Sequence, residues 1–205
     1  SSEPESFDLH DIETLELLAG FIAASLTNAS AYRDESRRAV HDPLTGLPNR
    51  TLLVDRLEQA LRHAQRDKHH VAVVYLDLDG FKPVNDEYGH SAGDKLLRAV
   101  ARGLSSALRA SDTVARVGGD EFVVICDEAD PGSGNLITER LQAAVATAGR
   151  SMPFKAAVTA SIGVAWSDGH DSPEALLSAA DASMYEAKRS ARRLTFSPSA
   201  PSRPR

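Results

Sequence analysis

The 205-residue sequence contains one cysteine, Cys126, and no long uncharged apolar run. A single cysteine excludes an intrachain disulfide framework and a zinc cluster of thiolates, and it fits a reducing compartment, so we expect a cytoplasmic location. The most apolar stretch runs from Leu15 to Leu26, contains Glu16, and is shorter than the roughly 18 residues that a membrane span needs. The first residues also lack the pattern of a secretory signal. We therefore expect no membrane span and no signal peptide.

Basic residues are in a minority, since 23 lysines and arginines stand against 29 aspartates and glutamates, for a net charge of −6. A general nucleic-acid-binding protein is normally basic, so the net charge argues against this class. Residues 1–40 hold eight acidic and three basic side chains, whereas residues 188–205 hold six basic side chains and no acidic one. This distribution favours a small polyanionic ligand. A hydrophobic content of 42% and a charged content of 25% exclude disordered and fibrous classes.

The chain divides into three segments by composition and periodicity. Residues 8–40 contain no proline, and their apolar residues recur at steps of three and four, which predicts one long helix with an apolar stripe. Such a stripe has to be covered by the domain that follows, by a domain missing from the sequence, or by a second copy of the helix. We thus assign a linker helix to 1–40, a compact domain to 41–195, and a Pro/Ser-rich linker or tail to 196–205.

Helices and strands alternate in the middle segment. The pattern predicts helices over residues 50–67, 94–109, 136–148 and 173–192, the first capped by Asn49. It predicts strands over residues 71–78, 114–117, 122–126 and, as one strand or two, 154–166. Residues 80–93 form a polar loop or a short helix, and residues 114–126 form a hairpin. We therefore predict an α/β fold with a mostly antiparallel central sheet flanked by helices.

Carboxylates gather where two of these strands meet a turn. A buried strand ends in Asp77 and Asp79, which share one face because side chains on a strand alternate with a period of two. By themselves, these two residues fit equally well a strand that runs out into solvent. The turn Gly118-Gly119, followed by Asp120 and Glu121, adds two carboxylates at a tight bend. A hairpin that adjoins the first strand brings Asp120 near Asp77.

Carboxylates that converge in this way repel each other unless a cation lies between them. Oxygen ligands of this kind suit Mg²⁺, which keeps several waters and bridges substrate phosphates. The backbone carbonyl of Leu78, next to Asp77 at the strand end, can supply a further oxygen. The residues themselves therefore favour a metal site that binds a phosphorylated ligand.

Five motifs, in order along the chain, resemble those of one known family. Residues Gly118 to Phe122 spell Gly-Gly-Asp-Glu-Phe, the signature of the GGDEF family, the diguanylate cyclases. The other motifs lie at residues 42–50, 77–94, 161–165 and 181–192. The resemblance extends over residues 41–195. It implies a palm-like nucleotide-cyclase fold and the condensation of two GTP molecules into cyclic di-GMP with release of two pyrophosphates.

The resemblance also implies roles for the carboxylates. Asp77, the carbonyl of Leu78 and Asp120 would bind Mg²⁺ or Mn²⁺. Asp120 or Glu121 would help to deprotonate the attacking 3′-hydroxyl, and the resemblance leaves open which of the two does so. Lys82 would stabilise the charge that develops on the phosphates.

Substrate-binding residues follow from the same resemblance. Asn85 and Asp94 would bind the guanine base, with His90 beside them, because a carboxylate accepts from the ring N–H and the exocyclic amine. Lys188 and Arg192 on the last helix would bind the triphosphate. The residues that flank Arg192 depart from the family's usual Gly-Arg-Asn, which puts the local loop geometry in question.

A second site is implied by Arg109 and Asp112, which lie at the family's usual distance before the glycine pair. In the family, an Arg-x-x-Asp at this place binds the product and inhibits the enzyme. The alternative is an arginine that ends a helix and an aspartate that caps the following turn. The frame of recognised motifs favours the product-inhibition site.

The resemblance carries implications for partners as well. Since the motifs supply one guanine site and one triphosphate site per chain, catalysis would need a homodimer. The start and end of the helix over 8–40 resemble the last helix of a GAF sensor domain, and a generic linker helix is the alternative. The competing function is a degenerate domain that binds GTP or cyclic di-GMP and controls an adjacent phosphodiesterase domain. A polymerase-like palm enzyme with another product is disfavoured by the set of motifs.

Overall fold

The structure, a computed structural model, describes residues 39–154 and 157–195, the last five by their backbone alone. The chain forms two compact units, residues 1–40 and residues 41–205, and the second is described below. The helix predicted over 8–40, save its last two residues, and the tail 196–205 lie outside the described residues. None of the helices within the described ranges has the length and hydropathy to cross a membrane.

The described residues form α-helices, one 3₁₀ turn and four strands. The elements are α1 (Arg50–Asp67), β1 (Val71–Asp79), α2 (Phe81–Tyr88), α3 (His90–Ala107), β2 (Thr113–Arg116), β3 (Glu121–Cys126), a 3₁₀ turn (Pro131–Ser133), α4 (Gly134–Arg150), β4 (Thr159–Ser167) and α5 (Pro173–Thr195). The strands form one antiparallel sheet in the order β2-β3-β1-β4. The predicted α/β fold with an antiparallel sheet is confirmed, and β1 lies inside the sheet.

Local signals account for the element boundaries. Asn49 caps α1, and its side-chain oxygen accepts from the backbone N–H groups of Thr51 and Leu52 at 2.9 and 3.2 Å. The helix expected to start at Asp94 starts at His90 instead, because Gly89, with a φ of 80°, ends α2 and lets the chain turn directly into α3. The stretch expected as one strand or two is the single strand β4.

The sheet lies between two helical layers. Side chains of β1 alternate between the two faces of the sheet and so pack against both layers. One face of β1 packs with α3 and α4, through residues such as Leu76 and Leu78. The other face packs with α1 and α5, through residues such as Val73 and Tyr75. Since Asp77 continues the second set, its carboxylate lies on the α1/α5 side of the sheet.

Helix α5 approaches β4 at backbone distance. A Cβ atom at Gly163 would lie 2.0 Å from the backbone nitrogen of Met184 and 2.4 Å from the carbonyl oxygen of Ala180. No side chain fits there, so the glycine sets how closely the helix packs on the sheet. Lys188 follows Met184 by one helical turn on the same face. The position of Gly163 therefore also sets the position of that lysine.

We expect Gly163→Ala to destabilise the domain by about 3 kcal/mol, since the added methyl group overlaps backbone atoms that cannot rotate away. Gly132→Ala is the matched control, because a Cβ there would meet only the Asp130 side chain, at 3.5 Å. We expect that control to stay within about 0.5 kcal/mol of the parent. Urea unfolding measures both changes. Equal midpoints for the parent and Gly163→Ala would contradict the close packing of α5.

Candidate active site

The pairing of β1 with β3 brings the carboxylates from two strands together. In the antiparallel register, Asp77 lies opposite Glu121, and Asp120 precedes that pair in the turn. The backbone N–H of Leu78 donates to the carbonyl of Asp120 at 3.1 Å, which fixes the turn residue against the end of β1. The structure thus places Asp77, Leu78, Asp120 and Glu121 side by side.

Burial and neighbouring negative charge raise the pKa of two carboxylates at this place, Asp120 and Glu121. Burial raises the pKa of Asp120, and the negative charge of Asp77 raises it further. Burial also raises the pKa of Glu121, with further contributions from Asp77, Asp120 and Asp181. Each carboxylate therefore gains stability when a positive charge lies close to the group.

Lys188 supplies one such charge from α5. Its Nζ atom lies 2.5 Å from Oδ1 of Asp77, and the two side chains are 24% and 12% exposed. The lysine predicted to bind a triphosphate thus lies next to the carboxylate predicted to bind a metal. Arg192 is on the same helix, but its side chain lies outside what the structure describes.

The donor set suits a hard divalent cation. Two carboxylates, from Asp77 and Asp120, and the backbone carbonyl of Leu78 are oxygen ligands of the type that Mg²⁺ and Mn²⁺ prefer. Among residues 39–154 and 157–195, no three or more His, Cys, Asp or Glu side chains are grouped as a metal site. A cation held by two carboxylates and one backbone carbonyl would keep positions for phosphate oxygens and water, as Mg²⁺ does in nucleotide-binding sites.

Asp79, the other carboxylate of the strand end, has a different environment. It accepts hydrogen bonds from the hydroxyl of Ser161 at 3.0 and 2.9 Å and from that of Thr159 at 3.4 Å. These bonds join the ends of β1 and β4. The next residue, Gly80, has a φ of 84° and turns the chain into α2, whose first turn carries the exposed Lys82.

The residues predicted to bind guanine lie where α2 meets α3. Asn85 is on α2, and a Cβ at Gly93 of α3 would lie 2.0 Å from its Oδ1 atom. The glycine thus leaves the space that the amide of Asn85 occupies. Asp94, the neighbour of Gly93, is half-buried, and His90 is exposed at the start of α3. The structure therefore brings Asn85 and the Asp94 position together, with His90 one turn away.

Arg109 and Asp112 lie at the other end of the hairpin. They line a cavity of about 160 Å³ together with residues that follow β3, such as Asp127 and Asp130. The Asp112 carboxylate accepts from the backbone N–H of Arg109 at 2.9 Å, and the N–H of Asp112 donates to the carbonyl of Arg109 at 3.1 Å. Asp112 therefore caps the turn and lines a cavity at the same time, so the two interpretations from the sequence are compatible.

Two positions at the site were not predicted. The hydroxyl of Tyr75 donates to Oε2 of Glu121 at 3.4 Å, and burial together with the charge of Glu121 raises the pKa of the tyrosine to about 12. Tyr75 precedes Asp77 by two residues on the same strand face, which is the signal that could have identified it. Arg116, two residues before the glycine pair, contacts both Asp42 and Gly119.

Comparison with known proteins agrees with this geometry. The family model described as "Diguanylate cyclase, GGDEF domain" matches residues 39–193. The bifunctional diguanylate cyclase/cyclic di-GMP phosphodiesterase MucR of Pseudomonas aeruginosa is 44% identical over 176 residues, which cover 85% of this chain and 25% of that protein. The diguanylate cyclase DgcP of the same organism is 41% identical over 166 residues, which cover 80% of this chain and 24% of that protein.

Solved structures show the same likeness. The coiled coil and GGDEF domain of DgcB from Caulobacter crescentus, crystallised in complex with cyclic di-GMP, matches with a TM-score of 0.73 and 27% identity, over 86% of this chain and 95% of that one. The chain spans about a quarter of the length of MucR and DgcP. Because the family model covers the sheet, the turn between β2 and β3 and the helices around them, the chain belongs to the GGDEF family of diguanylate cyclase domains.

Proposed function

We propose that the chain is the catalytic domain of an active diguanylate cyclase that condenses two GTP molecules into cyclic di-GMP. The observation that carries the proposal is the convergence of Asp77 with Asp120 and Glu121 at the junction of β1 and β3. Two steps of the same kind make the product. In each, the 3′-oxygen of one GTP forms a bond to the α-phosphorus of the other, and the bond to pyrophosphate breaks.

The site would hold its divalent cation, Mg²⁺ or Mn²⁺, between Asp77, Asp120 and the carbonyl of Leu78. When bound, the cation neutralises phosphate charge and lowers the pKa of the attacking hydroxyl. Asp120 or Glu121 would accept the proton of that hydroxyl. Burial and the negative charge of Asp77 raise the pKa of each, and a raised pKa makes a carboxylate a better proton acceptor.

Guanine selection follows from donor and acceptor chemistry. Asp94 accepts from the ring N–H and the exocyclic amine of guanine, and the amide of Asn85 both donates and accepts. Adenine presents the opposite pattern on that edge, so the pair favours GTP over ATP. His90, exposed beside them, completes this side of the site.

Cationic side chains would bind the phosphates from two directions. Lys82 is a residue of the first turn of α2, next to the end of β1, and Lys188 and Arg192 are residues of α5. Lys188 lies 2.5 Å from Asp77, so its ammonium group can lie between that carboxylate and the triphosphate. Positive charge fixed at this place stabilises the transition state of phosphoryl transfer.

A degenerate, purely regulatory domain is the competing hypothesis. The relative MucR joins cyclase and phosphodiesterase activities in one protein, and this chain spans a quarter of it. Degenerate domains lose the carboxylates or the lysine of the site, whereas Asp77, Lys82, Asp120 and Glu121 are all present here. The intact site favours an active enzyme. In the complete protein, we propose a GAF-like sensor before the domain, with a phosphodiesterase domain as a further candidate partner.

We expect the chain to convert GTP to cyclic di-GMP with Mg²⁺, and Asp120→Asn or Asp77→Asn to lower the rate at least about a hundredfold, since each removes a negative metal ligand. Asp79→Asn is the matched control, because Asp79 lies on the same strand face but is bonded to Ser161. Its rate should fall far less. Chromatography of the products measures all four proteins. A near-parental rate for Asp120→Asn would refute the metal assignment, and absence of product from the parent would favour the regulatory domain.

We expect the specific activity to rise with the protein concentration, because one chain offers one guanine site and one triphosphate site, so two chains have to face each other. Initial rates over a dilution series, combined with light scattering at the same concentrations, measure the effect. The rate should follow the dimer fraction. Constant specific activity in a sample that light scattering shows to be monomeric would contradict the two-chain mechanism.

We expect added cyclic di-GMP to inhibit the reaction non-competitively with GTP, through binding at Arg109 and Asp112. Arg109→Ala should raise the concentration for half-inhibition at least about tenfold, since a charged hydrogen-bond donor is lost. Arg102→Ala is the control, because Arg102 lies on α3, seven residues before Arg109, and outside this cavity. If both variants were inhibited like the parent, Arg109 and Asp112 would form an ordinary helix end.

A further inference from the structure

We propose that Arg116 is a positioning residue that holds the Gly118-Gly119 turn, and hence Asp120, against Asp42 at the start of the domain. The inference rests on the proposed cyclase activity, because it assigns to Arg116 the placement of the carboxylate that binds metal and substrate. Arg116 itself is not expected to contact GTP. Its effect on the reaction is exerted through the backbone of the turn.

The guanidinium of Arg116 bridges two segments that are 74 residues apart. Its Nη1 atom donates to both carboxylate oxygens of Asp42 at 3.0 Å. Its Nε and Nη2 atoms donate to the carbonyl oxygen of Gly119 at 3.1 and 2.7 Å. The side chains of Arg116 and Asp42 are 13% and 16% exposed, so solvent screens this ion pair less than a surface pair.

Asp42 is itself held in place by hydrogen bonds within the opening loop. Its Oδ1 atom accepts from the backbone N–H of Thr45 at 2.9 Å and from the Thr45 hydroxyl at 2.5 Å. Its own N–H donates to the carbonyl of Leu47 at 2.8 Å. Although burial acts to raise the pKa of Asp42, the hydrogen bonds from Thr45 and Arg116 outweigh it and lower the pKa, so the carboxylate is ionised at neutral pH.

The turn needs such a support because its own side chains provide little. A Cβ at Gly119 would meet no atom within 4 Å, so this residue is not packed against the domain. Backbone bonds from Val117 to Glu121 and from Leu78 to Asp120, both at 3.1 Å, hold the C-terminal side of the turn. The bonds from Arg116 hold the carbonyl of Gly119, which belongs to the peptide group that leads into Asp120.

The bridge also joins the site to the first residues of the unit 41–205. Asp42 is the second residue of the unit 41–205, immediately after the junction with the unit 1–40. A change in backbone conformation at this junction that moves Asp42 would also displace the guanidinium of Arg116. The carbonyl of Gly119, which is bonded to that guanidinium, would then move as well. One side chain thus joins the place where the chain enters the domain to the turn that carries Asp120.

The test compares Arg116→Lys and Asp42→Asn with Arg98→Lys in the 205-residue chain. Lysine keeps the positive charge, but it lacks the planar guanidinium that bonds Asp42 and Gly119 at the same time. Arg98 is the matched control, because its Nε donates to the carbonyl of Leu44 at 3.2 Å in the same opening loop but does not contact the turn. Steady-state kinetics with GTP and Mg²⁺ give kcat and KM for each variant, and thermal unfolding gives their stability.

For Arg116→Lys, we expect kcat to fall between about ten- and a hundredfold while KM for GTP changes less than about threefold, because misplaced catalytic groups slow the step and the guanine site is untouched. Arg98→Lys should keep the parental kcat. The double variant Arg116→Lys/Asp42→Asn should have the same kcat as Arg116→Lys alone, since both changes break the same bridge. A kcat for Arg116→Lys within twofold of the parent, or multiplying effects in the double variant, would overturn the proposal.

Amide hydrogen exchange of peptides covering residues 117–122 provides a readout that needs no activity. We expect faster exchange in Arg116→Lys and in Asp42→Asn, and the parental rate in Arg98→Lys. If the parent made no cyclic di-GMP, the proposed function would fail, and this measurement would still decide whether Arg116 holds the turn. Unchanged exchange in Arg116→Lys would reject that role whatever the activity is.

Discussion

The register between β1 and β3 is the constraint on which the rest of the site depends. Asp77 and Glu121 are paired residues, so a slip by one position would turn Asp77 to the opposite face of the sheet. The slip is prevented by burial on both faces, since Leu76 and Phe122 pack on one side while Tyr75 and Val123 pack on the other. The apolar pattern of two strands thus fixes the relative position of carboxylates that themselves repel each other.

That repulsion is a local free-energy cost, and the surrounding structure offsets it. Burial and the negative charge of Asp77 raise the pKa of Asp120 and of Glu121, which means that the ionised site is destabilised relative to isolated carboxylates. The ammonium group of Lys188 offsets part of this cost at Asp77. Lys188 can reach that carboxylate because Gly163 lets α5 approach β4 at backbone distance. A packing feature far from the turn therefore contributes to the electrostatics of the site.

The sequence predicts the elements well where periodicity and capping agree, and less well where contacts across the chain decide. Asn49 and the apolar run after it predict α1 with its bounds, and the glycine pair predicts the hairpin. The sequence predicts the start of α3 four residues late, because Gly89 ends α2 and the next helix begins directly at His90. The bridge from Arg116 to Asp42 joins residues 74 positions apart, and nothing local in the sequence predicts such a pair. The fold and the carboxylate cluster can thus be predicted from local sequence patterns. The support of the turn depends on a tertiary contact, which such patterns do not show.

The geometry of the hairpin also limits how product bound at Arg109 and Asp112 could act on the site. The cavity adjoins one end of β3 and Glu121 lies at the other, about 17 Å away at 3.4 Å per residue. Residues 122–126 are buried and paired, so β3 cannot slide without losing its register. The edge strand β2 is less constrained, since it pairs with a neighbouring strand on one side only. It runs from the residue after Asp112 to Arg116 and so connects the cavity to the bridge. Inhibition within one chain would therefore pass through β2 and depend on the bridge to Gly119, whereas inhibition by cross-linking two domains would not involve Arg116 at all.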